Sequence, residues 1–339
     1  RASAAPVLRH TYIVAWRFLS GWRLLSSRAE PTLIAHEHAA TCASPIAPYA
    51  RNLSAFPNVA TFGAHSSPLP HLESAVSLLQ TSASSATPAT RVCFSAHGPQ
   101  LALSSGSPSH AGVWGIARSA RVEAQLVVCC LNVPAPWSLT VPLVEVEVSA
   151  LAHSASGSSI YLVPRLSCAV APLAFAGSGG PSLQLLTGCQ VVTGGTGGLG
   201  LLTARWLAQQ GARSLLLASR AGKVPRTSGP ELALLWRGGV GAALVERCDT
   251  SETAHVRRLY ACAPHPPGLW HAAGVIADGL LPKQTAEMIS RVHAPKAHGA
   301  LALEQAFAAA PVGACVLFSS IAGLMGGAGQ ANYAAANSC

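Results

Sequence analysis

The second half of the sequence alternates between short apolar runs and longer stretches whose apolar positions have helical spacing. The apolar runs are those of CQVVTG, SLLLAS, AALVERC, GLWHAAG and ACVLFSS. Helices are predicted at 199–210, 230–236, 252–262 and 284–308, and from about Gln330. Strands that alternate with helices predict an α/β fold, in which a doubly wound parallel sheet carries helices on both faces. Ligands of such sheets bind beyond the carboxyl ends of the strands.

The first half of the sequence has a weaker pattern. Short apolar runs are separated by clusters of proline and serine, and only two regions predict regular structure. Residues 110–125 predict a helix followed by the strand-like run LVVCCLNV, and residues 158–166 predict another strand. The glycine-rich segment AGSGGPS is predicted to be a linker. We therefore expect two domains, residues 1–180 and residues 181–339.

Charge and composition narrow the range of functions. Lysine and arginine exceed the acidic residues of the 339-residue chain, which gives a net charge of +9. That charge suits an anionic partner, such as a phosphate-bearing cofactor, an acidic carrier domain or nucleic acid. The arginines are scattered rather than clustered, so we expect no nucleic-acid binding. The ten cysteines form no C-x-x-C pair and the histidines lack ligand spacing, so we expect reduced thiols, a cytoplasmic protein and no metal site.

The two ends of the sequence raise separate expectations. The chain starts at Arg1 and stops at Cys339 within an apparent helix, so we expect a piece of a longer protein. Residues 1–29 carry several arginines and no acid, as organellar transit peptides do, although an ordinary strand-rich edge would look the same. The longest apolar stretch, 299–318, is interrupted by polar residues and a proline, so we expect no membrane span.

The segment VVTGGTGGLG carries the first chemical motif. It follows an apolar strand, opens a predicted helix and matches T-G-x-x-x-G-x-G. Glycines at these positions let backbone N–H groups and a helix N-terminus approach a pyrophosphate closely. The alternative is a glycine-rich turn without a ligand, but the strand before and the helix after favour a Rossmann-type dinucleotide site. The residues expected to form it are Thr193, Gly194, Thr196, Gly197, Gly198, Leu199 and Gly200.

The second strand of this half ends in Ser219 and Arg220. An acidic residue here would bind the ribose diol of NAD, whereas a guanidinium and a hydroxyl suit a 2′-phosphate. The pair therefore predicts NADPH as the cofactor, and the alternative is a solvated arginine in a loop. Asp249, after the next strand, is expected beside the adenine. The cofactor is further expected to contact the residues that follow the fourth strand, Ala272, Ala273 and Gly274.

Two hydroxyl groups follow the last apolar run, Ser320 at once and Tyr333 13 residues later. A strand, a loop and a helix in that order can bring both to one point. A tyrosine holds its proton at neutral pH, and a nearby cation lowers the pKa of a phenol by about 1–3, which eases proton donation to a developing alkoxide. The lysine best placed by sequence is Lys296, in the long helix before the serine. The other two, Lys223 and Lys283, lie in the loop after the second strand and before that helix.

Together, the motifs of residues 188–339 resemble the ketoreductase domain of modular type I polyketide synthases and, more distantly, that of animal-type fatty acid synthases. These domains are extended short-chain dehydrogenase/reductases. The resemblance rests on TGGTGGLG, SRAG, CDTS, HAAGVIADGLL, PKAHGALAL, FSSIAG and GQANYAAAN, in that order. In simple short-chain reductases a lysine lies four residues after the tyrosine. In this family a lysine lies 37 residues before it and an asparagine four after it, and Lys296 and Asn337 meet both spacings. The resemblance thus implies a catalytic tetrad of Lys296, Ser320, Tyr333 and Asn337.

The resemblance extends into the first half of the chain. The segments YIVAW, GVWGIARSARVEA and SSIYLVPRL are similar to the truncated, cofactor-free structural subdomain that precedes the catalytic half in these synthases. It implies a structural subdomain in residues 1–180 and an NADPH-binding catalytic subdomain in residues 181–339, truncated at its C-terminus.

The resemblance also implies a reaction. NADPH would reduce a β-ketoacyl thioester carried on the phosphopantetheine arm of an acyl carrier protein, with other synthase domains in the same polypeptide. Tyr333 would donate the proton, Ser320 would hydrogen-bond the carbonyl oxygen, Lys296 would ease the donation and Asn337 would help order the relay. The alternatives are a fatty acid synthase ketoreductase, a catalytically silent scaffold domain and a basic nucleic-acid adaptor. His271 is expected to be a packed strand-end histidine rather than a base.

Two positions bear on the configuration of the product. In family terms, one class carries Leu-Asp-Asp soon after the HAAG strand, and the other carries a tryptophan eight residues before the tyrosine. This chain has Ile276, Ala277 and Asp278 at the first position and Met325 at the second. The retained aspartate favours the Leu-Asp-Asp class, which gives the D-configured hydroxyl.

Overall fold

A computed structural model describes thirteen segments of the chain, namely residues 12–18, 32–33, 58–62, 68–84, 91–96, 111–124, 126–132, 145–148, 161–168, 188–237, 240–263, 268–308 and 314–339. The strands within them are β1 Tyr12–Phe18, β2 Thr32–Leu33, β3 Asn58–Phe62, β4 Arg91–Ala96, β5 Val127–Asn132, β6 Glu145–Val148, β7 Tyr161–Cys168, β8 Cys189–Thr193, β9 Ser214–Ser219, β10 Ala242–Arg247, β11 Gly268–His271 and β12 Ala314–Leu317. The α-helices are α1 Leu69–Ser84, α2 Ala111–Ala124, α3 Gly198–Gln209, α4 Gly229–Arg237, α5 Thr253–Ala261, α6 Ala286–His293, α7 Gly299–Phe307, α8 Ile321–Met325 and α9 Ala331–Ser338. A π-helical segment, Ala294–His298, lies between α6 and α7.

The chain forms two compact units. The first contains strands β1 to β7, and the second contains helices α1 and α2 together with everything described from residue 188 onward. The sequence places α1 and α2 in the first half, yet they group with the second unit. The division near residue 180 stays a prediction, and the predicted linker 176–182 lies outside the described residues.

The first unit is a seven-stranded mixed sheet. Its order is β1-β7-β6-β5-β4-β3-β2, in which β2 to β6 run parallel and β7 pairs antiparallel with both β6 and β1. The sequence pattern predicts β5 and β7 but not β3, β4 and β6. Strands β3 and β6 have only five and four residues, and β4, which is as long as β5, follows a cluster of serine and proline residues.

The second unit has the predicted doubly wound architecture. Its five strands are all parallel, in the order β10-β9-β8-β11-β12. The chain runs outward from β8 to β10 and then returns to build β11 and β12 on the other side of β8. The order therefore reverses between β8 and β11, and the crevice at such a switch point is where ligands of these sheets bind.

Apolar side chains on both faces of β8 and β9 explain why this sheet is covered twice. Val191 and Leu216 lie in one buried cluster with residues of α5 and α7, and Val192 and Leu217 lie in another with residues of α3 and α4. Because successive strand residues point to opposite faces, the near-continuous apolar runs bury both. Packing of this kind fixes the strand ends, where the candidate site lies.

The predicted helix 284–308 differs in one respect from the structure. It consists of α6, the π-helical segment and α7 rather than one regular helix. Pro295 has no N–H to donate to the helical ladder, and the π geometry begins one residue before it. Among the described residues, no helix combines the length and the apolar character that crossing a bilayer requires.

Candidate active site

A cleft of about 420 Å³ opens beyond the carboxyl ends of the strands of the second unit. It is lined by residues that follow β8, β9, β10 and β11. They include all the predicted cofactor residues except Thr193, namely Gly194, Thr196, Gly197, Gly198, Leu199, Gly200, Ser219, Arg220, Asp249, Ala272, Ala273 and Gly274. Thr193 is instead fully buried, and its hydroxyl is hydrogen-bonded to His271.

The glycine loop after β8 is closed tightly on itself. Gly194 has φ of +66°, which favours glycine, and a Cβ on Gly200 would stand 2.2 Å from the carbonyl oxygen of Gly194. In contrast, a Cβ on Gly198 would meet nothing within 4 Å. Gly197, the N-cap of α3, provides no side-chain cap. The N–H groups of the first turn of α3 thus face an open space of the kind that binds phosphate.

Beside this loop, the end of β9 offers polar groups to the cleft. The hydroxyl oxygen of Ser219 is buried, and it has no hydrogen-bond partner in the described part of the chain. Arg220 is exposed next to it. A buried hydroxyl without a partner and an adjacent guanidinium fit an anionic ligand. The glycine loop and this pair therefore fit a phosphate-bearing dinucleotide.

Asp249, after β10, is held as a carboxylate. The Ser251 hydroxyl donates to its Oδ1 at 2.6 Å and the Ser251 backbone N–H at 3.0 Å. Burial raises the pKa of Asp249, but these two hydrogen bonds and the charge of Arg220 outweigh it, so that the pKa lies below its ordinary value. The carboxylate can thus accept a hydrogen bond from a ligand in the cleft.

Four other residues line the cleft and were not predicted from the sequence, namely Cys248, Thr250, Val275 and Pro295. The first three adjoin predicted cofactor residues, and Pro295 precedes the predicted catalytic lysine. Position next to a motif is the one sequence signal that points to them.

The structure brings Lys296 and Tyr333 together from different helices. The Lys296 Nζ lies 6.0 Å from the centroid of the Tyr333 ring and 3.7 Å from where a Cβ on Gly274 would stand. The amine is therefore near both the tyrosine ring and the segment that follows β11. Burial lowers the pKa of Lys296 below its ordinary value, because a partly desolvated ammonium is less favourable.

Of the two remaining residues of the predicted tetrad, Ser320 precedes α8 and Asn337 lies in α9, one turn after Tyr333. Ser320 is the N-cap of α8, where its Oγ accepts the N–H of Ala322 at 3.2 Å. Asn337 donates its Nδ2–H to the carbonyl oxygen of Tyr333 at 2.8 Å, while its Oδ1 is buried and unpartnered within the described segments. The Ser319 hydroxyl donates to the carbonyl oxygen of Asn337 at 2.7 Å. These bonds tie the end of β12 to α9.

The two predicted stereocontrol positions lie on neighbouring segments. Asp278 is exposed, and its Oδ2 accepts from the Gln330 side chain at 3.4 Å. The Gly279 N–H donates to the Gly329 carbonyl at 2.8 Å. Met325, at the end of α8, is largely exposed. The loop after β11 and the loop before α9 are therefore joined beside the candidate site.

Helix α2 anchors these same loops, which the sequence does not predict. The carboxylate of Glu123 accepts the backbone N–H groups of Leu281 and of Gly329, the latter at 2.8 Å. The Arg118 Nη1 donates to the carbonyl oxygen of Gly323 at 2.6 Å. Because these contacts all lie within the second unit, α2 is part of the scaffold around the site.

Comparison with known proteins places this arrangement in a family. Residues 188–339 match the family model described as KR domain. Polyketide synthase GfsB of Streptomyces halstedii is 43% identical over 165 residues, which are 47% of this chain and 3% of that protein. The 6-methylsalicylic acid synthase of Aspergillus niger is 31% identical over 293 residues, which are 77% of this chain and 15% of that protein. The chain thus spans a small part of these relatives.

A solved structure agrees with the sequence matches. PlmKR1, a ketoreductase from the first module of phoslactomycin biosynthesis in Streptomyces sp. HK803, superposes with a TM-score of 0.72 at 25% identity, over 97% of this chain and 76% of that one. KR domains are oxidoreductases of the short-chain dehydrogenase/reductase type, and their fold implies a nicotinamide cofactor. The sheet, the glycine loop and these matches together show that residues 188–339 form a KR domain of the kind found in polyketide synthases.

Proposed function

We propose that this chain is an NADPH-dependent ketoreductase of a polyketide synthase, which reduces a β-ketoacyl thioester to the β-hydroxyacyl thioester. The observation that carries the proposal is the approach of the Lys296 amine to the Tyr333 ring at the end of the glycine-lined cleft. A cation beside a phenol supports proton donation, and the cleft supports a dinucleotide.

Different residues of the cleft would bind different parts of the cofactor. The first turn of α3 would bind the pyrophosphate, Ser219 and Arg220 would bind the 2′-phosphate, and Asp249 would lie beside the adenine. NADPH, when bound, supplies the hydride that the β-carbon gains. Arg220 would attract the 2′-phosphate that NADPH carries and NADH lacks, and β9 does not end in a carboxylate that would repel it. The end of β9 therefore favours NADPH over NADH.

The protein's own groups provide the proton and its stabilisation. The Tyr333 hydroxyl donates a proton to the carbonyl oxygen, and the Ser320 hydroxyl hydrogen-bonds the same oxygen. The Lys296 charge stabilises the phenolate that remains. The unpartnered Oδ1 of Asn337 is available to order a water or the lysine in the relay that reprotonates the tyrosine. Donors fixed before the reaction account for much of the rate gain in such sites.

The substrate and the partners follow from the family. An acyl carrier protein would present the β-ketoacyl group on its phosphopantetheine arm, and further synthase domains would share the polypeptide. The net charge of +9 suits an acidic carrier domain. Asp278, on the loop tied to Gly329, favours the class that forms the D-configured hydroxyl. A fatty acid synthase origin and a silent scaffold domain are the alternatives.

The experiment is turnover of a surrogate substrate by the purified protein. A β-ketoacyl thioester of N-acetylcysteamine is incubated with NADPH or with NADH, and oxidation of the nicotinamide and the configuration of the product are measured. We expect reduction with NADPH, a higher kcat/KM than with NADH, and a D-configured product. Tyr333→Phe is the matched control, which keeps the ring and removes the proton. Equal activity of the Phe variant would contradict the role of Tyr333 as the proton donor, and no turnover by the wild type would favour the scaffold alternative.

A further inference from the structure

The π-helical segment that carries Lys296 is held by two side chains from the ends of two strands of the same sheet, β10 and β11. The Thr250 hydroxyl, after β10, donates to the carbonyl oxygen of Pro295 at 2.8 Å. The His271 Nε2, at the end of β11, lies 3.0 Å from the carbonyl oxygen of Lys296. The two contacts reach the carbonyl oxygens of the second and third residues of this five-residue segment. Side chains from the sheet therefore hold the helix at the point where α geometry changes to π geometry.

The hydrogen-bond partners of His271 determine which of its ring nitrogens carries the hydrogen. A carbonyl oxygen only accepts, so Nε2 carries the hydrogen, and Nδ1 is left to accept from the Thr193 hydroxyl at 2.6 Å. Burial lowers the pKa of His271 to about 4, so the ring stays neutral at working pH. A chain of hydrogen bonds thus runs from β8 through the imidazole to the backbone of Lys296.

Close packing reinforces the contact made by Thr250. A Cβ on Gly299, the first residue of α7, would stand 2.8 Å from the Oγ1 and 2.9 Å from the Cβ of Thr250. Gly299 therefore admits Thr250 directly against the helix. Thr193, Thr250 and His271 are each buried to within 3% of complete. These side chains have the position and the rigidity to control the path of the helix.

The backbone path decides where the Lys296 amine lies. In the described part of the chain no carboxylate forms a salt bridge with it, so its position depends on the helix beneath it. One residue of helical register corresponds to a rotation of about 100°, so closing the π segment into regular α geometry would turn the lysine away from its present direction.

We propose that Thr250 and His271 are positioning residues, which hold the π-helical segment in place and so keep the Lys296 amine beside Tyr333. The inference rests on the proposed function in one respect, the role of Lys296 as the cation of the proton donor. Neither residue needs to touch the substrate, since each acts through a backbone carbonyl.

Six variants, the last of which is Gly299→Ala, separate this role from general stability. Thr250→Val and His271→Leu remove the two donors, whereas Thr250→Ser and His271→Gln keep a donor at the same place. Thr203→Val is the matched control. Its hydroxyl is also buried and donates to a backbone carbonyl at 2.8 Å, that of Leu199, but it lies in α3, away from the π segment.

The first readout needs no turnover. Competitive acetylation across pH, followed by mass spectrometry, gives the titration midpoint of the Lys296 amine in each folded variant. Thr250→Val and His271→Leu are expected to raise the midpoint toward that of an exposed lysine, because the amine leaves its buried place. Thr250→Ser, His271→Gln and Thr203→Val are expected to keep the wild-type value. Gly299→Ala, which pushes Thr250 away without deleting a donor, is expected to act like Thr250→Val.

The second readout is the pH profile of reduction. In the two donor-deleted variants we expect kcat to fall by about 10-fold or more, with the basic limb of the profile at higher pH, and we expect the donor-keeping variants to restore both. An unchanged midpoint in Thr250→Val, His271→Leu and Gly299→Ala, or the same shift in Thr203→Val, would overturn the inference. A wild type that reduces nothing would instead overturn the proposed function, while the acetylation result would still decide the positioning.

Discussion

A methyl group added at two glycines of the same loop should separate folding from cofactor binding. In Gly200→Ala the new Cβ would stand 2.2 Å from the Gly194 carbonyl oxygen and 2.6 Å from the Gly195 Cα. Both neighbours are backbone atoms, which cannot rotate aside. Overpacking of a tight site costs about 1–3 kcal/mol, and this contact belongs at the upper end. For a unit of this size we expect the melting temperature to fall by about 6–12 °C.

Gly198→Ala is the matched change with the opposite stability result. Its Cβ meets no atom of the described residues within 4 Å, and alanine is favoured over glycine in a helix by up to about 1 kcal/mol. The melting temperature should therefore hold or rise. The methyl group projects into the cleft where a phosphate would approach, so the Kd for NADPH should rise by about 10-fold or more, the equivalent of about 1.4 kcal/mol.

Circular dichroism melts and fluorescence titration with NADPH measure the two effects on the same samples. The expected pattern is a destabilised Gly200→Ala and a fully stable Gly198→Ala that binds NADPH weakly. A Gly200→Ala variant as stable as the wild type would contradict the closed form of the loop. Wild-type affinity in Gly198→Ala would contradict its place at the phosphate.

Three further expectations follow from the site and its scaffold. Arg220→Asp should raise the KM for NADPH by about 10–100-fold with a much smaller effect on NADH, measured as the ratio of the two kcat/KM values, because a charge-assisted contact to the extra phosphate is lost. Glu123→Ala should lower the free energy of unfolding by about 2–6 kcal/mol in denaturant melts, since two N–H groups lose their acceptor, and Glu123→Gln should lose less. Burial lowers the pKa of His271 and of His293 to about 4 from 6.5, so the fold prefers both rings neutral. The free energy of unfolding should have its full value above pH 6.5 and should fall by roughly 3 kcal/mol per ring as the pH drops to 4. A free energy that does not change between these pH values, or that changes as steeply in His271→Gln as in the wild type, would contradict the buried neutral rings.

Local sequence patterns predicted most of the strands and helices of the second half of the chain. The run SLLLAS predicts a strand and β9 occupies the same six residues, because side chains buried on both faces leave an unbroken apolar run. The glycine motif likewise lies between a strand and a helix, as predicted. Such features depend on neighbours in the sequence, so the sequence alone is enough to find them.

Features that depend on distant residues were not predicted. Glu123 meets Leu281 across 158 positions, and no periodicity reports such a contact. The contacts of Thr250 and His271 with the π-helical segment likewise come from other elements. Helix α1 is a different case: Leu72, Val76 and Leu79 have helical spacing and are buried, but the serine-rich surroundings obscured the signal.

The most direct measurement is the turnover of Lys296→Met, an uncharged side chain of similar length. A cation that assists proton donation contributes about 100-fold or more to the rate. We therefore expect kcat for the thioester surrogate to fall by at least that factor, while NADPH titration of the same sample shows that the cleft still binds. A Lys296→Met variant that reduces the surrogate at the wild-type rate would contradict the assignment of the lysine, and with it the proposed proton donor.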